Sequence, residues 1–448
     1  MTERRVSIPV GLAAGVASAV AGLFLAAPSR TGDIVGLSAQ PPGFPWGSTT
    51  TASAWGLLAA LAMCVGARRV ADAVFAGAVA AVVLLVVGIS SSPPTLLTAV
   101  AAGVLLGAAL QLSRTVSGHS ALVAATAGVV AGVLLAPMLA RLRAGLPSGN
   151  RRYADYLPGD SALLVGDSTV VEVGAVSLAV LAVAVLAALC LRGWRDPIGG
   201  TSRVVVLTSA GMVVGCVLTQ WWFLRFLSSS LRDESSTGLH TFYGGYVVVG
   251  MTLVAALVHR ETTGLMWVAA AAATVAVSVD GTTASGIDLA AVTALLVVVA
   301  AVATTVVTRR DALPRKTRGV PIAVAVLGVF TATQFLSGDL SAAVPALVGP
   351  FGVPVAVTIA LTAAVMANHP EPSAVVGAVA LLTLLRLTTG SDFGWTSYTP
   401  LTDASGFDGL TATPPSAART AVGFIAIATC FVVAVVLARR RRADPSVT

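Results

Sequence analysis

Charged residues are scarce in this chain of 448 residues: only 10% are Asp, Glu, Lys or Arg, and 56% are hydrophobic. Soluble domains carry roughly 25% charged residues, so the composition excludes a water-soluble fold. The chain also lacks a long polar stretch, which excludes a folded aqueous domain. It contains instead a series of apolar runs of about 20 residues, each long enough to cross ~30 Å of hydrocarbon. The predicted fold class is an all-α polytopic membrane protein.

Cysteine is rare, and the usual catalytic motifs are absent. The four cysteines, Cys64, Cys190, Cys216 and Cys430, lie in apolar runs without metal-ligand spacing. They predict buried packing residues, with no disulfide framework and no metal site. The chain has no HExxH, GxSxG or nucleotide-binding loop, so we expect neither an enzyme nor a cofactor. The net charge of +7 comes from basic residues scattered between apolar runs, which indicates membrane topology and not a nucleic-acid partner.

Hydropathy predicts fourteen transmembrane helices. The lipid bilayer is therefore the expected partner of most of the protein surface. The spans are 7–27, 52–67, 70–89, 95–113, 119–140, 171–191, 203–224, 241–258, 264–279, 287–307, 320–337, 341–366, 373–388 and 419–438. The first run follows two arginines and resembles a signal peptide. Because it is about 20 residues long and further spans follow, we interpret it as an uncleaved first helix.

The distribution of basic residues tests the number and orientation of these spans. With the N-terminus in the cytoplasm, most of the 27 basic residues fall on cytoplasmic segments and most of the 20 acids fall outside. The cytoplasmic segments then include Arg68–Arg69, the loop 309–319 and the terminal arginines 439–442. The positive-inside rule is satisfied. The sequence therefore predicts fourteen spans with both termini in the cytoplasm, in the plasma membrane. The longer connections, 28–51, 141–170, 225–240 and 389–418, are predicted outside.

Small residues recur at every fourth position of the fifth predicted span. Gly128, Gly132, Ala136 and Ala140 form this series, and Pro137 lies within it. Such spacing lets two helix backbones approach closely in a bilayer, where packing drives helix association. Taken alone, the series predicts a helix-packing face.

Few polar residues lie inside the spans, and each has two interpretations. Arg386 either snorkels to the outer headgroups or lines a cavity. Gln111 and Gln334 either contact a substrate or form hydrogen bonds between helices. Asp72 follows Arg68 and Arg69, and it either stabilises a helix N-terminus locally or contacts a cytoplasmic gate.

Residues 55–143 resemble the first half of a major facilitator superfamily transporter, in particular the fourteen-span drug:proton antiporter branch. A span ending in GARR (66–69) is followed by an apolar span, the tight outer turn SSSPP (90–94) and a span ending in LLGAALQLSR (105–114). The stretch from Gly132 to Arg141 is similar to the family's glycine-rich antiporter motif. Further on, RRDALPRKTRG (309–319) resembles the second basic inner loop, and GAVALLTLLRLTTG (377–390) resembles the pattern of span thirteen.

The resemblance implies a major-facilitator-like architecture with two bundles. The expected domains are an N-terminal six-helix bundle (1–195), two additional linker helices (196–262) and a C-terminal six-helix bundle (263–448). It also implies that Gly128, Gly132, Ala136 and Pro137 form an antiporter-like motif, in which the proline is a flex point. A cytoplasmic gate loop would be formed by Arg68, Arg69 and Asp72. The residues that would line a substrate cavity or take part in coupling are Arg386, Gln111 and Gln334.

The chain departs from this family in ways that keep a second function open. Cys64 stands near the position of a gate aspartate, Gly103 replaces a span-four arginine, and the first span has no central acid. The first hypothesis is a secondary transporter or exporter of apolar or amphipathic small molecules, working by alternating access. The alternative is a transport-inactive, transporter-like membrane scaffold or assembly partner, which would associate with another membrane protein. A third interpretation, a lipid-linked glycosyltransferase with Asp33 as its acid, lacks an outer catalytic domain.

Overall fold

A computed structural model describes residues 2–26, 49–88, 95–116, 119–145, 197–232, 243–259, 263–279, 287–310, 319–333, 351–368, 370–385 and 417–443. Thirteen α-helices lie in these residues. They are α1 (Thr2–Ala26), α2 (Thr49–Gly66), α3 (Val70–Gly88), α4 (Thr95–Val116), α5 (His119–Gly145), α6 (Arg203–Arg232), α7 (Gly245–Val258), α8 (Gly264–Val279), α9 (Ile287–Arg310), α10 (Gly319–Ala332), α11 (Val353–Asn368), α12 (Pro372–Leu384) and α13 (Ala417–Ala443).

Each of these helices overlaps one of the predicted spans, which confirms the prediction of an all-α chain of apolar helices. The predicted sixth span, 171–191, lies outside the described residues, so the count of fourteen and the cytoplasmic termini stay predictions. Four helical stretches are both long and apolar enough to cross a membrane, namely 70–87, 96–114, 203–223 and 420–440. Nine further apolar stretches have 10–17 residues.

Several helices continue beyond the ends that hydropathy predicts. α6 runs to Arg232, through the first part of the connection predicted at 225–240, and α13 includes the terminal arginines as far as Ala443. Hydropathy detects only the part of a helix that lies in hydrocarbon, whereas the backbone hydrogen bonds of a helix continue into the headgroup region. The twelfth span differs in the other direction, since α11 begins at Val353 and residues 341–350 lie outside the described part.

Helix contacts in the first part of the chain recur in the second part. α1 packs against α4 and α5, and α4 also contacts α2 and α3. Seven elements later, α8 packs against α11 and α12, and α11 also contacts α9 and α10. The two sets of five helices, α1–α5 and α8–α12, therefore share a packing scheme of four helix pairs, while the contacts α4–α5 and α8–α10 have no counterpart of similar extent in the other set. We call the two sets the first half and the second half.

The two halves meet through equivalent helices. α2 of the first half packs against α12 of the second half, and α5 packs against α9. Because α2 corresponds to α9 and α5 to α12, each contact is the counterpart of the other. α6 and α7 lie outside this scheme: α6 packs against α2 and α12, and α7 packs against α6, α8 and α13. The predicted boundaries at residues 195 and 262 stay predictions.

Glycine contacts show the relative direction of the tightest helix pairs. Gly11 of α1 lies near Ala121 of α5, whereas Gly22 of α1 lies near Val129. α1 and α5 therefore run parallel. α2 and α4 also run parallel, because the N-terminal half of α2 contacts Ala99 and Gly103 while its last turn contacts Gln111. α2 begins where α1 ends, as the 2.8 Å hydrogen bond from Ser53 Oγ to the Leu25 carbonyl shows.

The ends of α2 and α4 and the beginning of α6 lie at one end of the molecule. Arg68, Arg69, Arg114 and Arg203 are found there, so we call it the arginine-rich end. α5 starts at this end and runs parallel to α1 toward the opposite end. Gly145 at the end of α5 and Pro197 before α6 therefore lie toward opposite ends of the molecule.

Small residues allow the backbones of α1 and α5 to touch. A Cβ atom added at Gly128 would overlap the Gly15 carbonyl oxygen, and one added at Gly132 would overlap the Ala19 carbonyl oxygen. Ala136 is buried on the same helix. The helix continues through Pro137 to Gly145 without a break. The four-residue series of span five thus provides a packing face for α1, at least at Gly128 and Gly132.

Candidate gate at the arginine-rich end

The last turn of α2 provides a carbonyl group that joins three segments. In an α-helix the last four carbonyls have no partner within the helix. The Cys64 carbonyl accepts a hydrogen bond from Gln111 Nε2 of α4 at 2.5 Å and another from Thr201 Oγ1 at 2.7 Å. Gln111 is fully buried. This shared acceptor therefore fixes the end of α4 and the residues before α6 against the end of α2.

The loop between α2 and α3 is held by its own carboxylate. Asp72 Oδ2 accepts hydrogen bonds from the backbone N–H groups of Arg68 at 3.1 Å and Arg69 at 2.9 Å. Asp72 is the third residue of α3, so this is the reach-back half of a capping box, in which an acidic side chain binds an N–H before the helix. Asp72 is exposed, as are Arg68 and Arg69. The carboxylate thus acts within its own loop in this structure.

Residues 197–202 cross from this loop to the second half of the molecule, and we call them the strap. The Ile198 N–H donates to the Arg68 carbonyl at 2.9 Å. At the other end of the strap, the Ser202 N–H donates to Glu371 Oε2 at 2.8 Å. Ser202 immediately precedes α6, and Glu371 immediately precedes α12. The strap therefore binds both halves.

Electrostatics favour the carboxylate of Glu371 at this position. It lies at the N-terminus of α6, where the helix macrodipole has its positive end. It makes no side-chain hydrogen bond to its own helix. Arg203 is exposed at the first position of α6, and the guanidinium of Arg114 lies beside the strap, with Nη2 3.6 Å from where a Cβ of Gly199 would be.

The first two turns of α6, which follow the strap in the chain, make two further contacts. A Cβ on Gly377 of α12 would lie 2.8 Å from Ser209 Oγ, so the two helices pack closely there. Thr208 Oγ1 lies 3.3 Å from His259 Nε2 at the end of α7. The His259 ring meets the buried Trp267 of α8 edge-on, with centroids 5.5 Å apart. The beginning of α6 thus touches both halves and α7.

Many buried hydroxyl groups in the described helices bind their own helix. Thr126, Thr252, Thr274, Thr358 and Thr383 each donate to the carbonyl four residues earlier. Such bonds satisfy the hydroxyl within the helix. Ser18, in the middle of α1, is fully buried and has no hydrogen-bond partner among the described residues.

Residues that could hold a metal are not grouped in the described part of the chain, where no cluster of three or more His, Cys, Asp or Glu side chains occurs. Cys64, Cys216 and Cys430 are buried there as free thiols, while Cys190 lies outside the described residues. The prediction that cysteine serves as a packing residue is confirmed for the three described ones.

The structure brings together some of the predicted site residues. The gate-loop residues Arg68, Arg69 and Asp72 lie at the same end as Gln111. Gly128 and Gly132 lie within α5, against α1. The side chain of Pro137 is not described, and Arg386, Gln334 and Asp33 lie outside the described residues. Their predicted roles stay predictions.

Sequence reasoning missed Thr201, Ser202 and Glu371. Two local signals were present: Thr and Ser directly before an apolar run are typical N-terminal capping residues, and Glu before Pro marks a helix start. These signals predict where helices begin, but they do not reveal that one helix start binds another 169 residues away.

Comparisons with known proteins give a structural likeness only. No family model matches the chain, and no curated protein matches it. The fucose:proton symporter of E. coli aligns over 97% of this chain and 98% of its own, with 14% identity and a TM-score of 0.47. An outward conformation of that major facilitator superfamily transporter gives 13% identity, the same coverage and a TM-score of 0.49. The proton:xylose symporter, also of the major facilitator superfamily, covers 98% of this chain and 96% of its own, with 12% identity and a TM-score of 0.42. These proteins are transporters and not enzymes.

Proposed function

We propose that the chain is a secondary transporter that moves apolar or amphipathic small molecules by alternating access. The observation that carries this proposal is the repeated packing scheme of α1–α5 and α8–α12, with the halves meeting through equivalent helices. Transporters built from repeats related by an axis along the membrane normal bind substrate between the halves and expose it by rocking one half against the other. A transport-inactive, transporter-like scaffold would keep the same packing, so measured flux separates the two hypotheses.

The class of substrate follows from the chemistry of the described helices. Their four acids, Glu3, Asp72, Asp288 and Glu371, all lie at or within three residues of a helix start. The buried positions carry mainly Ala, Val, Leu, Gly and hydroxyl groups, many of which bind a carbonyl of their own helix, together with the amides of Gln111 and Gln220. A binding site formed by such residues favours apolar surface over a charged or strongly hydrogen-bonding ligand. We propose export across the plasma membrane as the direction and place, and the drug:proton antiporter branch as the family branch.

The test is flux through the purified protein in proteoliposomes. A lipophilic cationic dye and a fluorescent lipid serve as probes, and liposomes without protein give the baseline. The expected result is probe movement above the baseline, which Arg386→Ala alters if this residue serves the cavity. Gly211→Ala is the matched control, because Gly211 is exposed and has no atom within 4 Å of an added Cβ. Flux equal to the baseline across a broad panel, with stoichiometric co-purification of a membrane protein, would instead support the scaffold.

A further inference from the structure

Alternating access requires each end of the protein to open in turn, so contacts that cross between the halves at one end must break. At the arginine-rich end the strap is bonded to the first half through Arg68 and Cys64. Among the described hydrogen bonds, the one from Ser202 to Glu371 joins the strap to the second half. From this geometry, and resting on the proposed function, we propose that the strap is a latch that closes the arginine-rich end and that protonation of Glu371 releases it.

Glu371 differs from the other acids of the described residues in what it binds. Asp72 binds N–H groups of its own loop. Glu371 is only partly exposed, and its side chain makes no capping hydrogen bond to α12 but accepts one from the N-terminus of α6. Its negative charge therefore stabilises a contact between two segments that are far apart in sequence. The charge of Asp72 stabilises a single loop.

The positive end of the α6 dipole gives the sign of the effect. A carboxylate at the N-terminus of α6 is favoured by this helix macrodipole. When a proton from the surrounding water binds to the carboxylate oxygen, this charge is lost and the bond to the Ser202 N–H weakens to that of a neutral acceptor. The latch is therefore closed while Glu371 is ionised and opens as the pH falls. The charged and titratable groups on the elements around it are Arg203 on α6, Arg68, Arg69 and Asp72 on the α2–α3 loop and α3, Arg114 on α4 and His259 after α7.

This assignment places the coupling proton at the gate. Glu3, Asp72 and Asp288 lie in the first turn of their helices, and Glu371 lies directly before α12. The described helices carry no carboxylate in their middle turns, so a proton that binds Glu371 remains near a helix end. The inference thus names the residue that receives the proton, which the sequence leaves open.

The experiment measures opening of the arginine-rich end without substrate. Spin labels are placed at Phe75 of α3, which is 70% exposed, and at Arg440 of α13, which is also exposed, after the four native cysteines are replaced by alanine. The distance between the labels is measured in lipid nanodiscs from pH 8 down to the lowest pH at which the protein stays folded. We expect a short distance at high pH and a growing long-distance population as the pH falls.

Three variants separate the latch from general damage to the fold. Glu371→Gln removes the charge, and Ser202→Pro removes the N–H donor while keeping the carbonyl that α6 uses. Glu371→Gln should raise the ratio of open to closed protein at pH 8 by about tenfold, the difference between a charged and a neutral acceptor. Ser202→Pro removes the hydrogen bond altogether and should raise the ratio by at least as much. Asp288→Asn removes an equal charge from the first turn of α9 and should leave the distance and its pH dependence unchanged.

The outcomes distinguish the latch from the transport proposal. A distance in the wild-type protein that does not change with pH, or an unchanged ratio in folded Glu371→Gln, overturns the latch. If the distances respond as expected but no probe moves in proteoliposomes, the latch is supported and the transport proposal fails. If probes move and Glu371→Gln leaves the distance unchanged, transport is supported and the latch is wrong.

Discussion

Replacing Gly132 by alanine tests whether the close approach of α1 and α5 is as tight as the structure describes. A Cβ at this position would overlap the Ala19 carbonyl oxygen and would lie 2.8 Å from Leu23 N and 2.9 Å from Ala19 C. Non-bonded heavy atoms prefer separations of about 3.5–4.0 Å. The obstructing atoms belong to the backbone, which cannot rotate away, so α1 must move out by roughly 1 Å.

The cost can be estimated from two opposing effects. A gap of about 0.5–1 Å loses roughly a quarter to a half of each dispersion contact along the interface, and overpacking costs about 1–3 kcal/mol. We take about 3 kcal/mol because backbone atoms obstruct the new methyl group. Alanine recovers about 1 kcal/mol of helix propensity relative to glycine. The net loss in the free energy of unfolding is then about 2 kcal/mol.

Gly211→Ala gives the matched comparison, since it gains the helix propensity without any obstruction. Gly211 lies in α6, and nothing lies within 4 Å of its added Cβ. This variant should gain about 1 kcal/mol, so the two variants should differ by roughly 3 kcal/mol. The assay is SDS titration of the protein in mixed micelles, followed by tryptophan fluorescence. The reasoning fails if Gly132→Ala unfolds at the same SDS fraction as Gly211→Ala or at a higher one.

Three further predictions concern hydrogen bonds at the helix ends. Thr201→Val and Gln111→Leu should each lower the free energy of unfolding by about 1 kcal/mol. The double variant should lose more than the sum of the two, because the Cys64 carbonyl then loses both described donors. Strictly additive losses in the same SDS titration would contradict the shared acceptor. Asp72→Ala should cost about 1 kcal/mol and speed hydrogen exchange at Arg68 and Arg69, and exchange rates equal to those of the wild type would exclude the capping contact. Ser53→Ala should also cost about 1 kcal/mol, seen as a lower melting temperature, since it removes the donor that joins the start of α2 to the Leu25 carbonyl.

The helices themselves could be predicted from the sequence because hydrocarbon permits few alternatives. A backbone in lipid must satisfy its hydrogen bonds internally, so an apolar run of sufficient length is a helix. The extents of α6 and α13 could not be predicted in this way. Beyond the hydrocarbon, water also satisfies the backbone, and the continuation of a helix depends on local propensity and not on hydropathy.

The candidate gate was only partly accessible to sequence reasoning. Arg68, Arg69 and Asp72 form a charged cluster in an apolar chain, so they attract attention. Glu371 is a single acid before a proline, which is typical of an ordinary helix start. What distinguishes Glu371 is its hydrogen bond from the Ser202 N–H. Every residue except proline has a backbone N–H, so the sequence does not show which one Glu371 binds.

The small residues of α5 illustrate a different limit. Spacing predicts that Gly128 and Gly132 form a packing face, and the structure identifies α1 as the partner. The sequence alone does not name that partner, because any neighbouring helix with small residues would satisfy the same pattern. The flex-point role of Pro137 stays a prediction.

The parallel direction of the closest helix pairs has a consequence for how the protein is made. α1 packs most closely against α5, and α2 against α4, so neither pair consists of neighbours in the chain. As the ribosome delivers the chain, α1 enters the membrane with Gly15 and Gly22 uncovered and keeps them uncovered until α5 follows. Packing of the first half is therefore completed only when α5 is inserted. A nascent chain released before residue 145 leaves the glycines of α1 exposed to contact with other helices.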